Sequence, residues 1–172
     1  MTKTERKTKP ESFAVTFPKS QMFDVLFKSG MSLVQEVAAY QSGPGKRDVK
    51  QLTGDVALMY EKKGVQMTLL LMQVASWLLL MRALKEEEIS LQQFFHCRRT
   101  IKEIEPASSD AATVALPAEF RTLLTRTDNI VRKINRLDGV LENSRRVTAP
   151  DVPGRKDARS LQAMLAQAFC SS

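Results

Sequence analysis

The feature that most constrains the fold is the apolar run MTLLLMQVASWLLLM, which extends from Met67 to Met81. A membrane-spanning helix requires about 20 predominantly apolar residues. This run is shorter, it is interrupted by polar residues, and basic residues lie on both sides of it. We therefore predict a helix of a water-soluble bundle and no membrane span.

The same run has two different faces when it is wound as a helix at about 100° per residue. One face is continuous and apolar, and it predicts the core: Met67, Leu70, Leu71, Val74, Trp77, Leu78 and Met81. A helix that is apolar nearly all round is normally buried all round, and exposed apolar patches mark interaction surfaces. We therefore expect another helix or a second copy of the protein to cover the opposite face, with these candidate contact residues: Leu69, Met72, Gln73, Ser76 and Leu80.

The remaining pattern predicts an all-α protein, an antiparallel three-helix bundle with an additional short helix and flexible termini. Few Gly and Pro interrupt the apolar segments, and no alternating strand pattern is evident. We place four helices at about residues 20–40, 48–85, 91–104 and 117–143. The sequence Gly43-Pro44-Gly45 ends the first helix, and the second is weakened near Gly54. Ser90 with Gln93 predicts a capping box for the third.

The chain divides into a disordered basic arm at 1–19, a helical bundle domain at 20–143 and a flexible tail at 144–172. The tail holds a short amphipathic pattern that indicates a candidate terminal helix, formed by Leu161, Met164, Leu165 and Phe169. A helix this short is marginal by itself in water. It can dock on the bundle or on another protein, and the sequence leaves these alternatives open.

The formal net charge of +7 is concentrated at the ends, since residues 1–20 and 143–172 carry +3 each. Basic ends can contact nucleic acid, an anionic surface or an acidic partner, or they can simply be solvated. Arg132 and Arg136 lie one turn apart on a predicted helix and are candidate partner contacts. No nucleic-acid recognition motif accompanies them. The basic charge leaves a nucleic-acid-associated regulator as the alternative function. Because no recognition motif is present, we do not expect nucleic acid to be the partner.

The sequence offers no residue set for catalysis, a metal or a cofactor. His96 and Cys97 are adjacent, so their side chains diverge on a helix and lack further ligands. Residues 86–88 are three consecutive Glu, which fan out around a helix end. Two distant Cys and no visible secretory signal favour a reduced, cytoplasmic protein. We expect a non-enzymatic protein without cofactors.

Three segments resemble a known family: MSLVQEVAAYQSGPGKRD, TLLLMQVASWLLLMRALKEEEIS and VRKINRLDGVL. They are similar to the alphaproteobacterial family of regulators of CtrA degradation, the RcdA family, over about residues 21–142. The resemblance implies a three-helix-bundle homodimer that is not an enzyme. It also implies an adaptor that links the ClpXP protease pathway to protein cargo in the cell cycle. Where the family pattern leads us to expect Gly before Glu88-Ile89-Ser90, this chain has Glu87.

Overall fold

A computed structural model describes residues 13–99 and 111–148 of the 172-residue chain. These residues form helices and connecting turns, with no strand among them. The α-helices are α1 (Phe13–Thr16), α2 (Gln21–Ser42), α3 (Pro44–Gln51), α4 (Gly54–Lys85), α5 (Leu91–Arg98) and α6 (Ala118–Thr148). Short 3-10 turns precede α2 and α6, at Phe17–Lys19 and Ala111–Ala115. The predicted all-α bundle is confirmed.

Helices α2, α4 and α6 form the bundle, and their contacts set the helix directions. Helix α2 is antiparallel to α4, because Asp24 near its start pairs with Lys85 and Gln41 near its end hydrogen-bonds Thr68. Helices α4 and α6 run in the same direction. The Tyr60 ring packs against Phe120 at a centroid distance of 4.3 Å. About five turns further along both helices, Trp77 of α4 hydrogen-bonds Asp138 of α6. The long connection between α4 and α6 makes this parallel pairing possible.

The core lies between the apolar stripes of these three helices. Trp77, Leu78 and Met81 of α4 are buried, as their spacing predicted. Gly30 of α2 lies where the three helices meet, because a Cβ there would be 2.5 Å from Leu78 Cδ1 and 3.0 Å from Ile130 Cδ1. A larger residue at this position would require the Leu78 and Ile130 side chains to shift from their packed positions.

Local signals fix several helix ends. The Ser20 Oγ accepts a hydrogen bond of 3.3 Å from the Phe23 amide and begins α2. The predicted capping box of α5 is present, since the Gln93 amide donates to Ser90 Oγ and the Ser90 amide donates to Gln93 Oε1. The Ser20 cap and the Ser90–Gln93 capping box each satisfy amides that have no partner within the helix.

The region after α2 differs in part from the prediction. Gly43 ends α2, but Pro44 and Gly45 then begin a separate helix, α3, instead of an open turn. Pro is favoured at the first position of a helix, where its missing N–H costs nothing. The predicted weakness near Gly54 is a true break, because α3 ends at Gln51 and α4 begins at Gly54, which has a φ of 57°.

The two ends of the bundle also differ from the predicted boundaries. Phe13–Lys19 belonged to the predicted disordered arm, yet Ala14 and Phe17 are buried, and the Phe17 ring meets Phe23 at 5.9 Å. The prediction is wrong for these residues, because their apolar side chains gain burial only through tertiary contact. Helix α6 continues to Thr148 instead of Asn143. Residues 1–12 and the tail motif at 161–169 lie outside the described residues.

The end of α4 explains the departure at Glu87. The Glu88 amide donates to the Ala83 carbonyl at 2.9 Å, and the Glu87 amide donates to the Leu84 carbonyl at 3.3 Å. These two bonds form a Schellman motif, whose central residue is left-handed and usually Gly. Glu87 has a φ of 60° and adopts this conformation despite its side chain.

Candidate functional site

Helix α4 carries a row of exposed apolar side chains on the side that faces away from the bundle. Four of them are 50% to 67% exposed and recur every seven residues: Leu58, Val65, Met72 and Leu79. A second row lies four residues after each of these, formed by Lys62, Leu69, Ser76 and Ala83. We call these eight residues the α4 outer face. A seven-residue repeat of this kind is the signature of a seam between two supercoiled helices.

The shape of the α4 outer face suits close helix packing over much of its length. From Leu58 to Leu79 it extends over about 30 Å, at about 1.5 Å per residue. Ser76 and Ala83 are small and would let a second backbone approach closely. The Ser76 hydroxyl donates to the Met72 carbonyl at 2.8 Å, so it already has a partner inside its own helix. Burying this serine would therefore leave no unsatisfied hydroxyl donor.

The five predicted contact residues differ in how far they are exposed to solvent. Leu69, Met72 and Ser76 are exposed and lie together on the α4 outer face. Gln73 and Leu80 are half-buried, and Leu80 packs against the core. Leu80 therefore contributes to the monomer fold and lies at the edge of the exposed surface.

The prediction missed Leu58 and Val65, and it did not select Leu79. The signal that identifies them is the seven-residue spacing, which extends two turns beyond the apolar run on its N-terminal side. A search for the core stripe alone does not reveal it, because the inner and outer rows overlap in sequence.

Helix α4 is long and apolar enough to cross a membrane by length and composition, and the core helix of a soluble protein meets the same criterion. In its most apolar 18-residue window, 39% of the residues are buried inside the bundle. The unburied share of this window includes Leu69, Met72 and Leu79 of the outer face. The apolar character of α4 thus serves two surfaces, an internal one and an external one.

The basic residues of α5 and α6 occupy different environments. Arg132 and Arg136 are exposed on α6. Arg98 on α5 instead forms a two-pronged ion pair with Asp138 and lies 3.5 Å from Glu142. The hydrogen bonds that Arg98 donates to Asp138 raise the pKa of its guanidinium. Arg98 therefore fastens α5 to α6 and is not a free cation for a ligand.

The described residues contain no group of three or more His, Cys, Asp or Glu placed to hold a metal ion. His96 and Cys97 are exposed on α5. Glu86 pairs with Arg82 at 2.8 Å and Glu87 pairs with Lys19 at 2.9 Å, so these two carboxylates take part in surface ion pairs. Lys19 lowers the pKa of Glu87 by a hydrogen bond.

Comparison with known proteins identifies relatives of the whole bundle. The family described as "Protein of unknown function (DUF1465)" matches residues 14–169. The crystal structure of RcdA from Caulobacter crescentus is 35% identical and superposes with a TM-score of 0.58, covering 74% of this chain and 96% of that one. No curated protein sequence matches the chain. The chain belongs to the DUF1465 family and is an RcdA-like protein.

Proposed function

We propose that this protein is a non-enzymatic adaptor in regulated proteolysis, and that it delivers protein cargo to the ClpXP protease pathway in the cytoplasm. The observation that carries the proposal is the similarity to RcdA, which at 35% identity covers nearly all of that protein. Most residues of the segments that first indicated the family lie on α2, α4 and α6, the three helices of the bundle. The proposal needs no cofactor.

The α4 outer face supports the proposal, because an adaptor works through protein contacts. We propose that two copies of the chain pair through this face to form a homodimer. Its heptad spacing and its small residues fit a second α4 helix. A partner helix would remove from water the most exposed apolar side chains of α4, and each apolar side chain fully buried contributes about 1.5–3 kcal/mol.

The basic charge supports a nucleic-acid role less well than the RcdA similarity supports the adaptor role. Four arginines in the described residues already pair with carboxylates: Arg82, Arg98, Arg126 and Arg145. Binding to DNA or RNA through phosphate contacts requires cations that can displace condensed counterions, and it weakens steeply with salt. Absence of any DNA or RNA shift at low salt would close this alternative.

Reconstituted degradation tests the adaptor proposal directly. Purified ClpXP and its priming components are incubated with candidate cell-cycle cargo, with and without this protein. We expect cargo degradation to accelerate only when the protein is present. The matched control is a ClpXP substrate that requires no adaptor, whose half-life should not change. Unchanged turnover of every cargo, in vitro and in a deletion strain, would contradict the proposal.

A further inference from the structure

A groove of about 580 Å³ lies between α2 and α6. Residues of these two helices line it, and none of the lining residues belongs to α4. The groove is therefore separate from the α4 outer face, and it stays open if that face is covered by a second copy.

The α2 side of the groove is apolar. Leu26 and Leu33 are buried and form its floor, together with Ile130 of α6. Met22 and Val25 stand at its edge with exposed fractions of 57% and 63%. Single exposed apolar residues are ordinary, but here they continue a buried apolar strip out to solvent. This edge is suited to apolar side chains supplied from outside.

The α6 side of the groove is cationic. Arg126, Lys133 and Arg136 line it, and no Asp or Glu is among the lining residues. Arg126 pairs with Glu36, and its Nη2 donates to Glu36 Oε1 at 3.0 Å. Lys133 and Arg136 form no ion pair with any residue in the described parts of the chain. Two positive charges are thus available beside an apolar strip.

We propose that this groove binds an acidic amphipathic helix of a partner protein. Such a helix would place apolar side chains against Met22, Val25 and the groove floor, with carboxylates toward Lys133 and Arg136. Helix-in-groove recognition of this kind uses apolar anchors at i, i+3, i+4 and i+7. From Met22 to Leu33 the strip is about 16 Å long, which equals about three helical turns.

Charge complementarity selects this occupant over two others. The tail of this chain also contains an apolar pattern at residues 161–169, but Arg155, Lys156 and Arg159 precede it and would face a cationic wall. Nucleic acid would match the charges of α6 but not the apolar wall of α2. Only an acidic helix with apolar anchors fits both walls.

Fluorescence anisotropy with a synthetic peptide tests the proposal. The probe is a labelled helical peptide of about 14 residues, with Leu at i, i+3, i+4 and i+7 and Glu at most other positions. Two control peptides have the same composition in scrambled order, or Lys in place of each Glu. We expect the first peptide to bind the full-length protein, with affinity that falls as salt rises, and both controls to bind much more weakly.

Variants of the protein locate the binding. The double variant Lys133→Glu with Arg136→Glu reverses the cationic wall, and we expect it to weaken binding by about tenfold or more, since each reversed charge exchanges attraction for repulsion. Val25→Asp should weaken binding to a similar extent. Arg132→Glu is the matched control, because Arg132 is exposed on the same helix but does not line the groove. Circular dichroism verifies that each variant is folded.

Three results would overturn the proposal. Equal binding of the ordered and scrambled peptides would show that the groove does not recognise an amphipathic helix. Equal weakening by Arg132→Glu and by the double variant would show that general surface charge attracts the peptide. A large gain in affinity on deletion of residues 149–172 would assign the groove to the chain's own tail.

Discussion

The indole Nε1 of Trp77 donates a hydrogen bond of 3.1 Å to Asp138 Oδ1, and this bond joins α4 to α6. The same carboxylate receives the two-pronged ion pair from Arg98 of α5. Asp138 therefore holds three helices with one side chain. Trp77 is 2% exposed, and Asp138 supplies the acceptor for the N–H of this buried side chain.

Asp138→Ala should lower the free energy of unfolding by about 2–3 kcal/mol, because it removes the partner of a buried donor and of a partly buried guanidinium. Urea unfolding monitored by Trp77 fluorescence measures the change. Glu88→Ala removes an exposed carboxylate and serves as the control, with an expected change below about 0.5 kcal/mol. If both variants unfold at the same urea concentration, Asp138 does not join these helices.

Trp77→Ala should lower the free energy of unfolding by about 3–5 kcal/mol, as expected of a core aromatic residue.

We expect substitution by Ala to have opposite effects on stability at two helical glycines, Gly30 and Gly139. Gly30→Ala places a Cβ 2.5 Å from Leu78 Cδ1, so we expect overpacking to exceed the gain in helix propensity and to destabilise the fold by about 1–2 kcal/mol. Gly139→Ala meets nothing within 4 Å on α6 and should stabilise the fold by about 0.5–1 kcal/mol. Thermal unfolding followed by circular dichroism separates the two. A gain from both substitutions would contradict overpacking at Gly30 and show that the Leu78 and Ile130 side chains move aside at little cost.

Glu87→Gly should stabilise the protein by about 1 kcal/mol, because Gly adopts the left-handed conformation at φ 60° without a steric cost. The substitution also removes the ion pair with Lys19, but solvent screens this exposed contact and it adds little to stability. Glu87→Ala is the control, since it removes the same ion pair and keeps the backbone cost. The midpoint of urea unfolding should be higher for the Gly variant than for the Ala variant, and equal midpoints would contradict this account of the turn.

The hydroxyl of Tyr40 makes stability depend on alkaline pH. Burial is the main cause that raises its pKa, and the hydrogen bond that it donates to Asp48 Oδ2 at 2.6 Å raises it further. The unfolded chain ionises this tyrosine near pH 10, while the folded chain keeps it neutral. Its contribution is therefore complete below about pH 10 and is lost as the pH rises toward the higher folded-state pKa.

Tyr40→Phe tests this linkage. The variant should be less stable than the natural protein at pH 8, because it loses the bond to Asp48. It should lose less additional stability between about pH 9 and pH 11, because one ionisable group is gone. Urea unfolding across this range measures both slopes. Parallel slopes for the two proteins would show that Tyr40 does not titrate differently on folding.

The sequence was sufficient where a feature depends on neighbours in the chain. The burial of Trp77, the capping box at Ser90 and the break near Gly54 all follow from local spacing or backbone preference. Contacts between distant residues were not predictable in this way. The ion pair of Arg98 could not be predicted, because its partner, Asp138, lies on another helix. Phe17 looked like part of a disordered arm because only tertiary packing gives its ring a buried place.

Neither the helix directions nor the exact limits of the exposed surfaces could be predicted from periodicity. Periodicity identified the apolar faces of α4, but it did not indicate that α4 and α6 run parallel, which rests on contacts such as Tyr60 with Phe120. Periodicity also selected Leu80 as a surface residue, although Leu80 is partly buried and packs against the core. The partial burial of a residue at the boundary of two faces depends on the crossing of neighbouring helices, which a helical wheel does not contain.

The α4 outer face yields the last prediction. Met72→Glu should abolish self-association without unfolding the chain, because Met72 is 63% exposed in a single copy and would lie at the centre of a seam between two copies. Two like charges facing each other across that seam would add repulsion to the lost apolar contact. Sedimentation velocity should show a dimer for the natural protein and a monomer for the variant, with unchanged helical circular dichroism. Leu80→Glu should behave differently and destabilise the single copy, because Leu80 packs against the core. Lys50→Glu, on the exposed surface of α3, controls for the charge change and should remain dimeric. A natural protein that is monomeric at high concentration, or a Met72→Glu variant that stays dimeric, would show that this face does not pair two copies.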